Sequence, residues 1–110
     1  MKAKYKQNKH SEYFEAVIQL RPLDKPLYDW VIRDITNSNI GVSREEVTKN
    51  GFDLWIDSNQ YAIALGKKLK KRFDGKVIVS SALHSTHRLT SKQLFRVTML
   101  FRLNEKRIEE

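Results

Sequence analysis

This sequence predicts an α+β domain: an antiparallel sheet with two helices on one face, in the order β-α-β-β-α-β-β. Several stretches alternate apolar and polar residues with the period of two that a half-buried strand needs. Two others repeat apolar residues every three or four positions, as a helix packed on one side does. The chain has 110 residues, enough for one such domain.

Tyr13 to Arg21, YFEAVIQLR, opens the pattern. Phe14, Ala16, Ile18 and Leu20 point one way; Glu15, Val17, Gln19 and Arg21 point the other. Pro22 and Pro26 bracket a break. Asp24 suits a helix N-cap, and Pro26 suits a first turn, where its missing N–H costs nothing. Leu27, Trp30, Val31 and Ile35 follow helical spacing, and Asn37-Ser38-Asn39 ends the helix. Residues 40–57 read as a hairpin. Asn50-Gly51 is expected as the centre of a type I′ turn, with both residues at positive φ. Val47 lies before the turn. Phe52, Leu54 and Ile56 alternate after it, with Asp53, Trp55 and Asp57 opposite. Trp55 among the polar set leaves the buried face of this strand open.

Ser58 or Asn59 caps the second helix. Ala62, Leu65, Gly66, Leu69 and Phe73 form its apolar stripe, where Gly66 permits close approach to the sheet. Gly75 stands where a left-handed C-terminal cap belongs. Val77 to Leu83 is a β-branched strand, and residues 84–92, HSTHRLTSK, form a polar basic loop. Gln93 to Leu103 is a long strand. Phe95, Val97, Met99, Phe101 and Leu103 oppose Arg96, Thr98, Leu100 and Arg102. The expected division is a basic arm over 1–12, one α+β domain over 13–103 and a charged tail over 104–110. The order fits a ferredoxin-like split βαβ unit plus one strand. A KH-like arrangement is the alternative, although its GXXG loop is missing.

Composition excludes several classes of function. There are no cysteines, hence no disulfide, thiolate metal site or cysteine catalysis. No apolar run approaches the roughly 20 residues of a membrane span. The basic start is not followed by a signal-like apolar segment. A soluble, cytoplasmic protein without a membrane partner is expected. His84-x-x-His87 falls on a strand-to-loop segment without a third ligand, so no metal or other cofactor is expected. No glycine-rich phosphate loop, GxSxG or HExxH occurs, and Asp53 and Asp57 have no acid or nucleophile opposite them. No catalytic residue is assigned; the chain reads as a non-enzyme.

Charge is the positive signal. The net charge is +8, and residues 1–66 hold 9 basic and 9 acidic side chains. The whole excess lies in residues 67–110, with 12 basic and 4 acidic. Such a one-sided field favours a polyanionic partner. Its densest part is Lys67, Lys68, Lys70, Lys71 and Arg72 on the second helix, followed by Lys76. With the apolar stripe inward, these cations fan outward as a phosphate-contacting patch; the plain alternative is a solvated helix face. Arg88 and Lys92 in the 84–92 loop, with Arg96 and Arg102 on the last strand, form a second contact line. Gln19 and Arg21 are expected to share an open sheet face with Arg96, Thr98 and Arg102. That face lacks the aromatic platform of base-stacking sheets; Tyr13 and Trp55 are the nearest candidates.

Three segments, YFEAVIQLR, NGFDLWIDSNQYAIALGKKL and FRVTMLFRL, resemble the NMD protein family of eukaryotes and archaea, in the domain after its zinc-binding segment. The resemblance rests on Tyr13, Gln19 and Arg21; Gly51 and Asp53; Ser58 and Ala62; Arg96 and Arg102. The family's paired cysteine motifs are absent here. Membership implies a non-enzymatic, ribosome-associated role in large-subunit biogenesis or export, with large-subunit ribosomal RNA and ribosomal proteins as partners. Two other readings stand beside it: a protein-interaction module for an acidic partner, and a small-ligand regulatory domain of ferredoxin-like type.

Overall fold

A computed structural model of the chain describes residues 14–87 and 92–104, with the backbone alone over 83–87 and 92–94. Seven elements follow in the expected order: β1 Ala16–Arg21, α1 Lys25–Asn37, β2 Val42–Thr48, β3 Gly51–Ile56, α2 Asn59–Arg72, β4 Gly75–His87 and β5 Lys92–Leu103. The expected arm over 1–12, and all of the tail but Asn104, lie outside the described residues.

Local chemistry sets the helix starts. Asp24 caps α1 by accepting from the Leu27 N–H at 3.0 Å, and Pro26 sits in the first turn. Ser58, rather than Asn59, caps α2 and accepts from the Tyr61 N–H at 3.0 Å. Asn39 has φ 58° just past the end of α1, a conformation Asn tolerates better than most residues.

The five strands form one sheet in the order β2-β3-β1-β5-β4. It is mixed, which corrects the expectation of an antiparallel sheet: β1 and β5 run parallel, and the other neighbours are antiparallel. The β2-β3-β1 half has the ferredoxin-like order. The slot beside β1 is taken by β5, and β4 is pushed to the edge. Burial explains the exchange. Val97, Met99 and Phe101 on β5 are almost wholly buried, whereas Val79, Ser80, Ser81 and Ala82 on β4 are exposed. The strand with the larger apolar face takes the inner position, where burying each such side chain contributes roughly 1.5–3 kcal/mol.

Register builds the core in rows. Ala16 pairs with Ile56 and Val97, Ile18 with Leu54 and Met99, Leu20 with Phe52 and Phe101. All nine are buried. This settles the buried face of β3: Phe52, Leu54 and Ile56 point inward, and half-buried Trp55 points away. Both helices cover that face. Leu27, Val31, Ile32 and Ile35 of α1 join Ala62, Leu65 and Leu69 of α2 in one cluster with the strands. Gly66 lets α2 settle on the sheet, since a Cβ there would stand 3.0 Å from Val77 Cγ1 and 3.2 Å from Met99 Cγ.

Three local expectations are corrected. Thr48 pairs with Gly51, so Lys49-Asn50 is the central pair of the hairpin turn, and Asn50 does not have positive φ. Gly51 is required for another reason: a Cβ there would collide with the Leu20 carbonyl oxygen and the Arg21 side chain. Gly75 is not a left-handed cap; Phe73 ends α2 in an extended conformation, and Gly75 opens β4. The 84–92 loop is shorter than expected, because β4 runs to His87, which pairs with Lys92.

Candidate nucleic-acid interface

On α2 the buried stripe fixes the outward set. Lys67, Lys68, Lys70, Lys71 and Arg72 are all exposed. Lys70, Lys71 and Arg72 occupy the last turn, where the helix dipole favours cations. The five are not equivalent. Lys68 Nζ lies 3.3 Å from both carboxylate oxygens of Asp34 on α1. Asp34 also accepts a 2.6 Å hydrogen bond from the Tyr61 hydroxyl. Burial, and then this bond, push the Tyr61 hydroxyl well above its ordinary pKa. It therefore stays a neutral donor and pins α1 to α2. Lys68 is thus turned towards α1. Lys70, one turn after Gly66, lies on the side of α2 towards β4. Lys67 and Lys71, one turn apart, point away from the sheet.

Lys76 is not part of this patch. It pairs with Arg102 on β5, which pairs with Arg21 on β1. These three lie on the face away from the helices, as a row of cations on adjacent strands. Arg21 is anchored there. Its Nη1 donates to the Leu20 carbonyl at 3.0 Å, to the Phe52 carbonyl at 3.3 Å and to Asp53 Oδ1 at 2.8 Å. The two side chains of this ion pair are 21% and 12% exposed. At this end of the sheet a cleft of about 680 Å³ is lined by Arg21, Pro22, Leu23, Lys49, Asn50, Arg102, Leu103 and Asn104.

Further along the same face the sheet is self-covered. The Arg44 guanidinium stacks over Trp55 at 4.7 Å, and that of Arg96 over Phe14 at 3.9 Å. Arg96 therefore belongs to an internal stack as well as to the open face. Gln19, Arg21, Thr98 and Arg102 share this face as expected. Lys92 opens β5, and Arg88 lies outside the described residues. Among the described residues no group of three or more His, Asp or Glu is placed to hold a metal ion. No helix among them is long and apolar enough to cross a membrane.

Reading the sequence missed the Arg21–Asp53 pair, the Tyr61–Asp34–Lys68 link and Lys49. Arg21 and Asp53 are joined only by strand register. Tyr61 stands one turn before Leu65 at the head of the buried stripe, and a tyrosine at such a position signals a buried hydroxyl that needs a partner.

Fold and charge together define an α+β domain with cations on both sides of its sheet. The family model described as NMD3, second domain, matches residues 13–103. The chain belongs to the NMD3 family, a ribosome-related family; the match spans the stretch on which the resemblance rested. No curated protein matches the chain.

Proposed function

We propose that this chain is a non-enzymatic RNA-binding domain that engages ribosomal RNA of the large subunit during subunit maturation in the cytoplasm. The observation that carries the reading is the exposed cation patch of α2, in a chain of the NMD3 family. Among the described residues Lys67, Lys70 and Lys71 have no carboxylate partner, and exposed Lys68 and Arg72 share the helix with them. Such cations are matched to phosphates, whose binding releases counterions and is therefore steeply salt-dependent.

The test is sedimentation of the protein with ribosomal subunits through sucrose gradients at 50 and 200 mM salt, with and without nuclease. Co-migration with the large subunit that weakens at higher salt is expected; six to ten phosphate contacts would lose on the order of a thousandfold in affinity over this range. A protein that stays at the top of every gradient ends the reading. Retention that is indifferent to nuclease and salt would point instead to a protein partner.

A further inference from the structure

We infer that the cleft at the end of the sheet is a binding site for a phosphodiester of an RNA backbone, separate from the α2 patch and reached across the opposite face of the sheet. The inference rests on the RNA-binding reading and adds a second contact region to it. Three observations carry it.

Arg21 is held as a prepared donor. Its Nη1 is committed to two carbonyls and to Asp53. An arginine guanidinium has five N–H donors in a rigid plane. With Nη1 fixed, Nε and Nη2 are fixed too, and neither has a protein partner among the described residues. Neither is sealed from solvent, since no buried side-chain polar atom lacks a partner there. Arg21 is one of the residues that line the cleft, and its guanidinium keeps a free edge whose orientation is already fixed.

The second observation is charge. Arg21, Arg102 and Lys76 stand side by side on β1, β5 and β4, where neighbouring strands are roughly 4.8 Å apart. Like charges directly opposite each other in a sheet are unfavourable. Asp53 offsets one of the three, and Lys49 adds another cation from the β2–β3 turn. An anion laid along the row relieves the repulsion.

The third is size and lining. A volume of about 680 Å³ exceeds what one phosphate fills, and it lies within the range of small-molecule sites. Pro22, Leu23 and Leu103 supply an apolar wall, and Asn50 and Asn104 supply neutral donors. Among the described residues no aromatic ring lines the cleft, so none of them stacks a base there. The site is matched to the sugar–phosphate chain, without regard to sequence.

The test is fluorescence anisotropy of a labelled single-stranded oligouridylate with the full chain across a salt series. Wild type is compared with the double variant Lys49→Gln/Arg102→Gln. Both side chains are exposed, and an unchanged melting temperature verifies the fold. The expected result is a roughly tenfold weaker affinity and a salt slope smaller by about 1.4, because single strands lose about 0.7 per phosphate contact. Equal affinity and slope in wild type and variant overturn the cleft and leave the α2 reading standing. A wild type that binds no oligonucleotide at low salt overturns both. Inorganic phosphate, titrated while the amide resonances of Asn50 and Asn104 are followed by NMR, separates the sources. Saturation by free phosphate, together with unaltered RNA binding by the variant, assigns the cleft to a free anion and overturns the RNA assignment.

Discussion

The two basic regions are built in opposite ways. On α2 the cations stand on a helix whose inward face does the structural work; among the described residues only Lys68 of these cations is tied by its side chain to another element. At the end of the sheet the charges are part of the architecture. Arg21 holds two carbonyls and a buried carboxylate, and Arg102 and Lys76 are set opposite each other by strand register. The difference separates affinity from geometry. Long, solvated lysines attract a polyanion from many angles, and an anchored arginine fixes where one phosphate sits.

The largest structural effect should come from Gly51→Ala, which drives a Cβ into the Leu20 carbonyl and the Arg21 side chain. A loss of about 3 kcal/mol is expected in urea unfolding, as for an overpacked core; a loss below 1 kcal/mol would show that the sheet end gives way easily and that Arg21 is not rigidly held. Asp53→Ala leaves Arg21 largely buried without its counter-charge and should cost about 2 kcal/mol by the same measurement. Lys67→Ala/Lys70→Ala/Lys71→Ala should sharpen the contrast from the other side. Its melting point should stay near wild type, because the three lie off the buried stripe, while its salt slope for RNA falls by about 2. Lys68→Ala should change stability by no more than about 0.5 kcal/mol, the scale of an exposed ion pair.

Tyr28 gives a pH-dependent check away from both regions. Burial, and then its 2.7 Å hydrogen bond to Glu45, push its hydroxyl up from 10.0 to about 12. A folded-state pKa above the unfolded value means that this stability is fully present below about pH 10 and is lost as pH rises through about 12. Tyr28→Phe should flatten that part of the alkaline unfolding profile.

Sequence patterns specified what depends on neighbours along the chain. Caps at Asp24 and Ser58, the stripes of both helices and the alternation of β1, β3 and β5 were all legible, because spacing alone decides which side chains share a face. Partnership between strands was not. Alternation in Val97, Met99 and Phe101 requires a buried face, but it is silent on which strand lies alongside. The parallel β1–β5 pair, the Arg21–Asp53 contact and the Arg21–Arg102–Lys76 row all follow from that choice. For the same reason Lys76 looked like a continuation of the α2 patch. Three residues of connection separate them in sequence, yet the connection crosses from the helix layer to the sheet and turns the side chain to the other face.

The position of β1 also has a kinetic meaning. Its neighbours are β3 and β5, and Ala16 meets Val97 across most of the chain. Closing so long a loop costs entropy before any pairing repays it, and topologies dominated by distant contacts fold slowly. During synthesis one edge of β1 waits for the last strand to emerge. Until β5 arrives, Leu20 and Ile18 lack one wall of their core, and Arg21 has no Arg102 beside it. The row of cations at the sheet end is therefore completed only when the final strand docks, so that the feature that distinguishes the cleft is among the last the chain acquires.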